Sequence, residues 1–300
     1  MRDTAAVNAA SASAAPALER RRRWSAPGWR ALRRNRGALA GAVILAAWAL
    51  AAALAPHIAP YDPIALVGAS RQPPSAVHLM GTDLLGRDIL SRLIFGARLS
   101  LAIGLISVAI GLIAGSFTGL VAGYYGGRAD GVLMRLVDAM LAFPGLLLAL
   151  VVIAALGPGL LNVMLAVGVS SVPLYARLVR GSCLTIREVE YVQAARALGG
   201  SDRRVILRHI VPNVLGPLIV LSTLQVGNAI LVGSALSYLG MGAQPPTPEW
   251  GLMTADGQAY LAGAWWMSTF PGFAIFSAAM AVNLLGDGLR AALDPRSISR

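Results

Sequence analysis

Five stretches of this chain contain neither charge nor histidine: Gly37 to Pro56, Leu99 to Gly127, Ala139 to Ala176, Ile210 to Pro248 and Gly257 to Gly286. A helix needs about 20 residues to cross a hydrocarbon layer of about 30 Å, so each stretch is long enough to span a bilayer. The third is long enough for two spans, with a break at Gly157-Pro158-Gly159. Six spans are expected, approximately Ala38 to Ala55, Leu99 to Tyr124, Val132 to Leu156, Leu160 to Val179, Pro217 to Leu239 and Met267 to Leu285. Backbone polar groups have no water partner at that depth, which makes helices the expected form of every span. With 56% hydrophobic and 13% charged residues, the composition is that of an all-α integral membrane protein and not of a soluble domain.

The basic residues indicate how the chain is threaded. All 25 are arginines. With residues 1–36 placed inside, the inner segments hold nine arginines in 1–36, two in 125–138, seven in 177–209 and three in 287–300. Only Arg71, Arg87, Arg92 and Arg98 remain outside. The positive-inside rule therefore assigns both termini and residues 191–212 to the cytoplasm, and 56–98 and 240–266 to the outside. The same spread argues against a nucleic-acid partner, because the arginines line separate loops and do not gather on one soluble domain.

Residues 1–18 are Ala/Ser-rich and of low complexity, and are expected to be disordered. Arg20 to Arg23 follow, with Trp24 and Trp29 beside them. Two readings stay open: contact with anionic headgroups, or a topogenic charge cluster. The next apolar run has the length of a full span and not of a signal-peptide core, so it is read as an uncleaved anchor. Cys183 is the only cysteine, which excludes a disulfide within the chain. His57, His78 and His209 lie on separate segments without metal-ligand spacing. No nucleophile, base and pocket fall together, and the chain is not expected to be an enzyme.

The stretch from Tyr191 to Pro212 concentrates charge between two apolar runs. Tyr191, Ala194, Ala195 and Leu198 fall at i, i+3, i+4 and i+7, one small-residued apolar face of a short helix. Gly199 and Gly200 suit its end, and Ser201 or Asp202 is expected to cap a following helix. Gln193-Ala194-Ala195, then Gly199, then Pro212 resembles the Glu-Ala-Ala loop of bacterial ABC importer permeases. The departures are Gln193 for the glutamate, and His209 and Val211 for Ile and Leu. The stretch is similar to the variant found in peptide and nickel importers. In that family the loop is the coupling helix that fits a groove on the ATPase. The resemblance therefore implies a docking role for Glu190, Tyr191, Gln193, Ala194, Ala195, Arg196, Leu198 and Gly199, within a coupling loop over 180–212.

Other segments carry the same resemblance. Residues 55–63, APHIAPYDP, read as an extended exit from the first span. Residues 78–101 read as an interfacial amphipathic helix in which Asp88 and Arg92 stand at i, i+4, near Asp83 and Arg87. In 122–150, Gly126-Gly127 marks a tight turn, Arg135 and Asp138 are expected to pair at i, i+3, and Pro144 is expected to kink the third span. Residues 234–251 enter a Pro/Gly-rich outer loop containing Pro245, Pro246 and Trp250, suited to roofing or plugging a pore, with Trp250, Trp265 and Trp266 as interfacial anchors. Asp83, Arg87, Asp88, Arg92, Pro245, Pro246 and Trp250 are the candidate outer segment or gate.

Nearly the whole chain after residue 29 is similar to the C-type permease of dipeptide and oligopeptide ABC importers. The resemblance implies the type I importer permease fold. Its expected parts are a tail over 1–36, a first span with an outer segment over 37–98, a five-helix core over 99–290 and a tail over 291–300, in a bacterial cytoplasmic membrane. It further implies a second, B-type permease, two ABC ATPase subunits or domains, and an extracytoplasmic peptide-binding protein. The chain has no lysine and hence no Walker A loop, so ATP and Mg are expected on the partner ATPases and no cofactor on this chain. Ser222, Thr223, Gln225 and Asn228 on the fifth span are candidates to line the path, against the alternative of interhelical hydrogen bonding. A nickel or glutathione-like importer is the alternative within this class. A channel or secondary transporter is the alternative outside it, and it leaves the loop at 191–212 unexplained.

Overall fold

The computed structural model describes residues 35–293, which form ten α-helices and, as β pairing, a single isolated bridge between Thr82 and Asp88. The expected 1–36 tail and the 294–300 segment lie almost wholly outside the described residues. Helix α1 (Arg36–Ile58) starts at Asn35, whose side-chain oxygen accepts from the Ala38 N–H at 3.1 Å. It runs through Pro56, three residues past the expected end. Helix α2 (Ile89–Tyr125) is capped by Asp88, which accepts from the Ser91 N–H at 2.8 Å. It begins ten residues before the expected Leu99, because Ile89, Leu93 and Ile94 are buried and hold its first turns in the core. The expected interfacial helix over 78–101 is thus a set of turns up to Asp88 followed by the start of a span.

The third expected span is broken. Helices α3 (Gly127–Leu141) and α4 (Gly145–Leu156) meet at 97°. Pro144 lacks an N–H and disfavours helical geometry in the residue before it, so the ladder stops there. At 12 residues α4 is about 18 Å long, too short to cross alone. Helix α5 (Leu160–Arg187) follows Gly157 and Gly159, both at positive φ. Helix α6 (Glu190–Ala197) leads through a turn to α7 (Asp202–Val205), a π-helical turn (Ile206–Ile210) and α8 (Val211–Tyr238). The last three form one apolar helical rod of 37 residues, starting well before the expected Pro217. Helices α9 (Trp250–Gln258) and α10 (Trp266–Leu293) complete the described chain. Among the described residues five helical segments are long and apolar enough to span, and the bent α3–α4 pair makes six if it is counted as one broken span.

One end of the bundle is roofed by the 59–88 and 239–265 connections, which meet through Arg92 and Trp266. The other carries the connection from α5 to α8 and is called here the loop end. The most extensive packing is between α2 and α5. Gly111, Gly115, Gly119 and Gly123 stand every fourth residue along α2, so they form one stripe. A Cβ at Gly115 would sit 2.5 Å from Tyr175 Cβ and 2.6 Å from the Val172 carbonyl oxygen, and one at Gly123 would sit 2.8 Å from Cys183 Cβ. The two backbones are therefore as close as glycine permits. Gly115→Ala should lower the melting temperature of the detergent-solubilised protein, at a cost of about 1 to 3 kcal/mol. Gly131→Ala, with nothing within 4 Å of its added Cβ, should be neutral or stabilising by up to about 1 kcal/mol from helix propensity. Equal melting of the two variants would mean that the stripe is not a packed seam.

Candidate functional site

At the loop end, α6 presents one face outward and one inward. Val192 and Val205 are fully buried in the main apolar cluster with Tyr124 and Cys183, which anchors both limbs of the loop. Tyr191, Ala194 and Leu198 are exposed, Leu198 to 89%, while Ala195 is half-buried. A leucine that exposed, aligned with a tyrosine and an alanine on one helix face, has the character of a docking surface. Gln193, Glu190 and Arg196 flank it, and Gln193 donates to the Glu188 backbone carbonyl at 3.3 Å. The helix ends through Gly199 at φ +78, with the Gly200 N–H donating to the Ala195 carbonyl at 3.0 Å. Ser201 occupies the cap position of α7 without a side-chain cap bond. Asp202 does not cap either: its carboxylate accepts from the Tyr124 hydroxyl at 2.7 Å. Beside the loop lies an open depression of about 400 Å³ lined by Ser201, Arg203, Arg204, Leu207 and Arg208.

The path candidates on α8 divide between two roles. Gln225 and Asn228 line a cleft of about 240 Å³ with Ser170 and Ser171 of α5, Val167, Val232 and the start of α4 at Gly145 and Leu146. Ser222 instead accepts from the Tyr175 hydroxyl at 3.2 Å, which ties α8 to α5. Thr223 faces Gly286 of α10 and donates to its own Val220 carbonyl. Ser222 thus takes part in interhelical hydrogen bonding, the alternative given for these residues, while Thr223 packs against α10 and bonds within its own helix. Ser170 and Ser171 donate to carbonyls of their own helix, so they offer acceptor oxygens to the cleft, while Gln225 and Asn228 make no hydrogen bond among the described residues. No charged side chain lines this cleft. The serines were missed from sequence because short hydroxyl residues in a span are commonly satisfied by the preceding turn. The α4 start needed the bend at Pro144 to reach this depth.

The candidate outer segment forms a buried polar cluster at the roofed end. Asp83 meets Arg87 at 2.5 Å and Arg92 at 3.5 Å. Asp88 is not paired with Arg92; it meets His78 at 3.0 Å and caps α2 through Ser91, because the loop before α2 brings His78 to it. Arg92, 1% exposed, donates to the carbonyls of Pro63 and Pro246 at 3.1 and 3.3 Å, so it clamps the two roof segments. Trp250 and Trp266 are buried, and their indoles donate to the carbonyls of Leu93 and Thr82. These two are core residues and not interfacial anchors; Trp265 is half-exposed. Glu249, unremarked in sequence, caps α9 by accepting from the Gly251 and Leu252 N–H groups. Burial raises its carboxyl above the ordinary range, against the pull of those two N–H donors. Burial likewise raises Asp256, opposed by Arg92 and Arg87.

Asp138 also departs from expectation. Its partner is Arg177 across on α5 at 2.7 Å, and not Arg135, since α3 lies against α5 and places Asp138 within reach of it. Arg180 pairs with Asp130 through two bonds at 2.5 and 2.6 Å, fixing the start of α3. Among the described residues no group of three or more potential metal ligands converges.

Residues 107–299 match the family model described as binding-protein-dependent transport system inner membrane component, and residues 25–74 match the N-terminal TM domain of oligopeptide transport permease C. The chain is 47% identical to the di/tripeptide transport system permease protein DppC of Pseudomonas aeruginosa, with 89% of this chain and 91% of that one covered. It is 42% identical to the glutathione transport system permease protein GsiD of Pectobacterium atrosepticum, with 89% and 90% covered. A chain of the MetNI methionine ABC transporter, solved in inward-facing conformations, shares the fold with a TM-score of 0.55 at 19% identity, over 67% of this chain and 95% of that one. With five long apolar helices and the bent α3–α4 pair, an exposed face on the α6 loop and a family match across 107–299, the chain belongs to the inner membrane components of binding-protein-dependent transport systems.

Proposed function

We propose that the chain is the C-type permease of an ATP-driven importer of di- and oligopeptides, placed in the bacterial cytoplasmic membrane with both termini and the α6 loop in the cytoplasm. It pairs with a second, B-type permease, receives peptide from an extracytoplasmic binding protein and is driven by two ABC ATPases that bind ATP and Mg. The 47% identity to a di/tripeptide permease over nearly the whole length carries the peptide reading. The uncharged cleft at Gln225, Asn228, Ser170 and Ser171 supports it. Free carboxamides and hydroxyl acceptors match the one N–H and one C=O that every peptide bond presents, whatever the side chain. Docking on the ATPase falls to Glu190, Tyr191, Gln193, Ala194, Ala195, Arg196, Leu198 and Gly199. The roof residues Asp83, Arg87, Asp88, Arg92, Pro245, Pro246 and Trp250 hold the outer segment closed over the path.

The test has two arms. Single cysteines at Ser70 and Ser201, in a Cys183→Ser background, should react with an impermeant thiol reagent from opposite faces of oriented vesicles. The full complex in proteoliposomes should take up labelled dipeptide with ATP, and glutathione or nickel ion should compete weakly. Same-side labelling would refute the threading. Uptake of glutathione or nickel in preference to dipeptide would move the chain to another cargo of the same class.

A further inference from the structure

Tyr124, the penultimate residue of α2, joins both limbs of the α6 loop to the membrane helices, and nothing in the docking face itself calls for it. Its side chain is 3% exposed. The Arg196 guanidinium, in the last turn of α6, stacks 4.6 Å from its ring centroid. Its hydroxyl donates to Asp202, the first residue of α7, at 2.7 Å. The two contacts fall on opposite sides of the Leu198-Gly199-Gly200 turn, so one phenol grips the loop before and after its sharpest bend. The neighbouring contacts continue the connection. Arg187 of α5 donates to the Gly123 carbonyl at 2.8 Å, and the Gly111 to Gly123 stripe locks α2 to α5, which carries Ser170 and Ser171 into the polar cleft.

We infer that Tyr124 is a positioning residue for energy coupling, the directional link through which movement of the α6 loop becomes movement of the α2–α5 pair. The inference rests on the reading of α6 as the ATPase-docking element. Val192 and Val205 also hold the loop, but apolar contacts tolerate sliding. A hydrogen bond to a carboxylate and a ring under a guanidinium specify direction, and a loop that slides on the core turns over ATP without moving the cleft.

The experiment uses the full permease–ATPase complex in proteoliposomes and reads peptide transported per ATP hydrolysed. Tyr124→Phe keeps the ring and its volume but removes the hydroxyl. The ratio should fall about 10- to 100-fold, the scale of one hydrogen bond to a charged group, while ATPase capture and ATP turnover stay at the wild-type level. Asp202→Ala should reproduce the loss and add little to Tyr124→Phe in the double variant, whereas Asp202→Asn, which keeps an acceptor oxygen, should restore most of the ratio. An unchanged ratio in Tyr124→Phe overturns the inference, as does a parallel fall of transport, turnover and capture, which marks a residue needed only for folding or assembly. Ala194→Arg separates this failure from failure of the docking reading. If that variant still captures the ATPases and transports normally, α6 is not the docking element, whatever Tyr124→Phe does.

Discussion

Ala194→Arg should abolish ATP-dependent uptake while leaving the isolated chain folded. Ala194 is exposed on α6 between Tyr191 and Leu198, so an arginine there meets only water in the free protein. If α6 docks on the ATPase as proposed, the same side chain has to enter that contact in the complex and give up hydration. That costs about 2 to 5 kcal/mol at a tightly packed contact, a loss of about 30- to several-thousand-fold in affinity. Uptake in proteoliposomes and pull-down of the ATPases should therefore fall together, with insertion and pairing to the second permease unchanged. Gly199→Val should act more mildly by another route. No atom lies within 4 Å of a Cβ at Gly199, so its cost is confined to holding a β-branched residue at φ +78, about 1 to 3 kcal/mol. Normal uptake by a well-assembled Ala194→Arg complex would show that this face docks nothing.

The helical architecture was legible because a bilayer leaves a chain few choices. Uncharged runs of spanning length mark the five long apolar helices and the bent α3–α4 pair, and Gly157-Pro158-Gly159 and Gly126-Gly127 sit where helices end. The exposed face of α6 was legible for a similar reason: a period near 3.6 and a terminal glycine are local properties. What failed was pairing across the fold. Asp88 and Arg92, and Arg135 and Asp138, have helical spacing, yet each acid found its partner elsewhere, Asp88 in His78 and Asp138 in Arg177. A surface pair at helical spacing is worth only about 0.2 to 0.5 kcal/mol, so a partner supplied by tertiary structure readily displaces it. Trp250 and Trp266 were misread because a tryptophan near a span end has two uses, as an interfacial anchor or as a large buried anchor whose N–H needs a carbonyl. Glycine every fourth residue from 111 to 123 is a packing signal in the sequence by itself.

Buried charge makes the roof the place where a single change should cost most. Asp83 is the acceptor on which its polar cluster depends. Its carboxylate takes the Arg87 and Leu85 backbone N–H groups at 3.0 and 2.9 Å and faces the guanidinium groups of Arg87 and Arg92, all within a buried site. Asp83→Ala leaves two buried cations facing each other with only the longer-range charge of Asp256 to balance them, and removing one partner of a buried pair costs about 3 to 5 kcal/mol. For a protein of ordinary stability that is a large share of the total, so the variant should accumulate poorly in membranes and melt far below the wild type. Asp83→Asn keeps an oxygen for the backbone N–H groups and should fall between. Asp83→Leu combined with Arg87→Leu removes the charge and its partner together and should recover part of the loss, since apolar replacement of a whole buried pair is often tolerated. Arg92 remains in that double variant, tied to the carbonyls of Pro63 and Pro246, so the roof keeps its clamp. If Asp83→Ala melts with the wild type in detergent, the cluster is solvated in the working protein and the roof is held by its tryptophans alone.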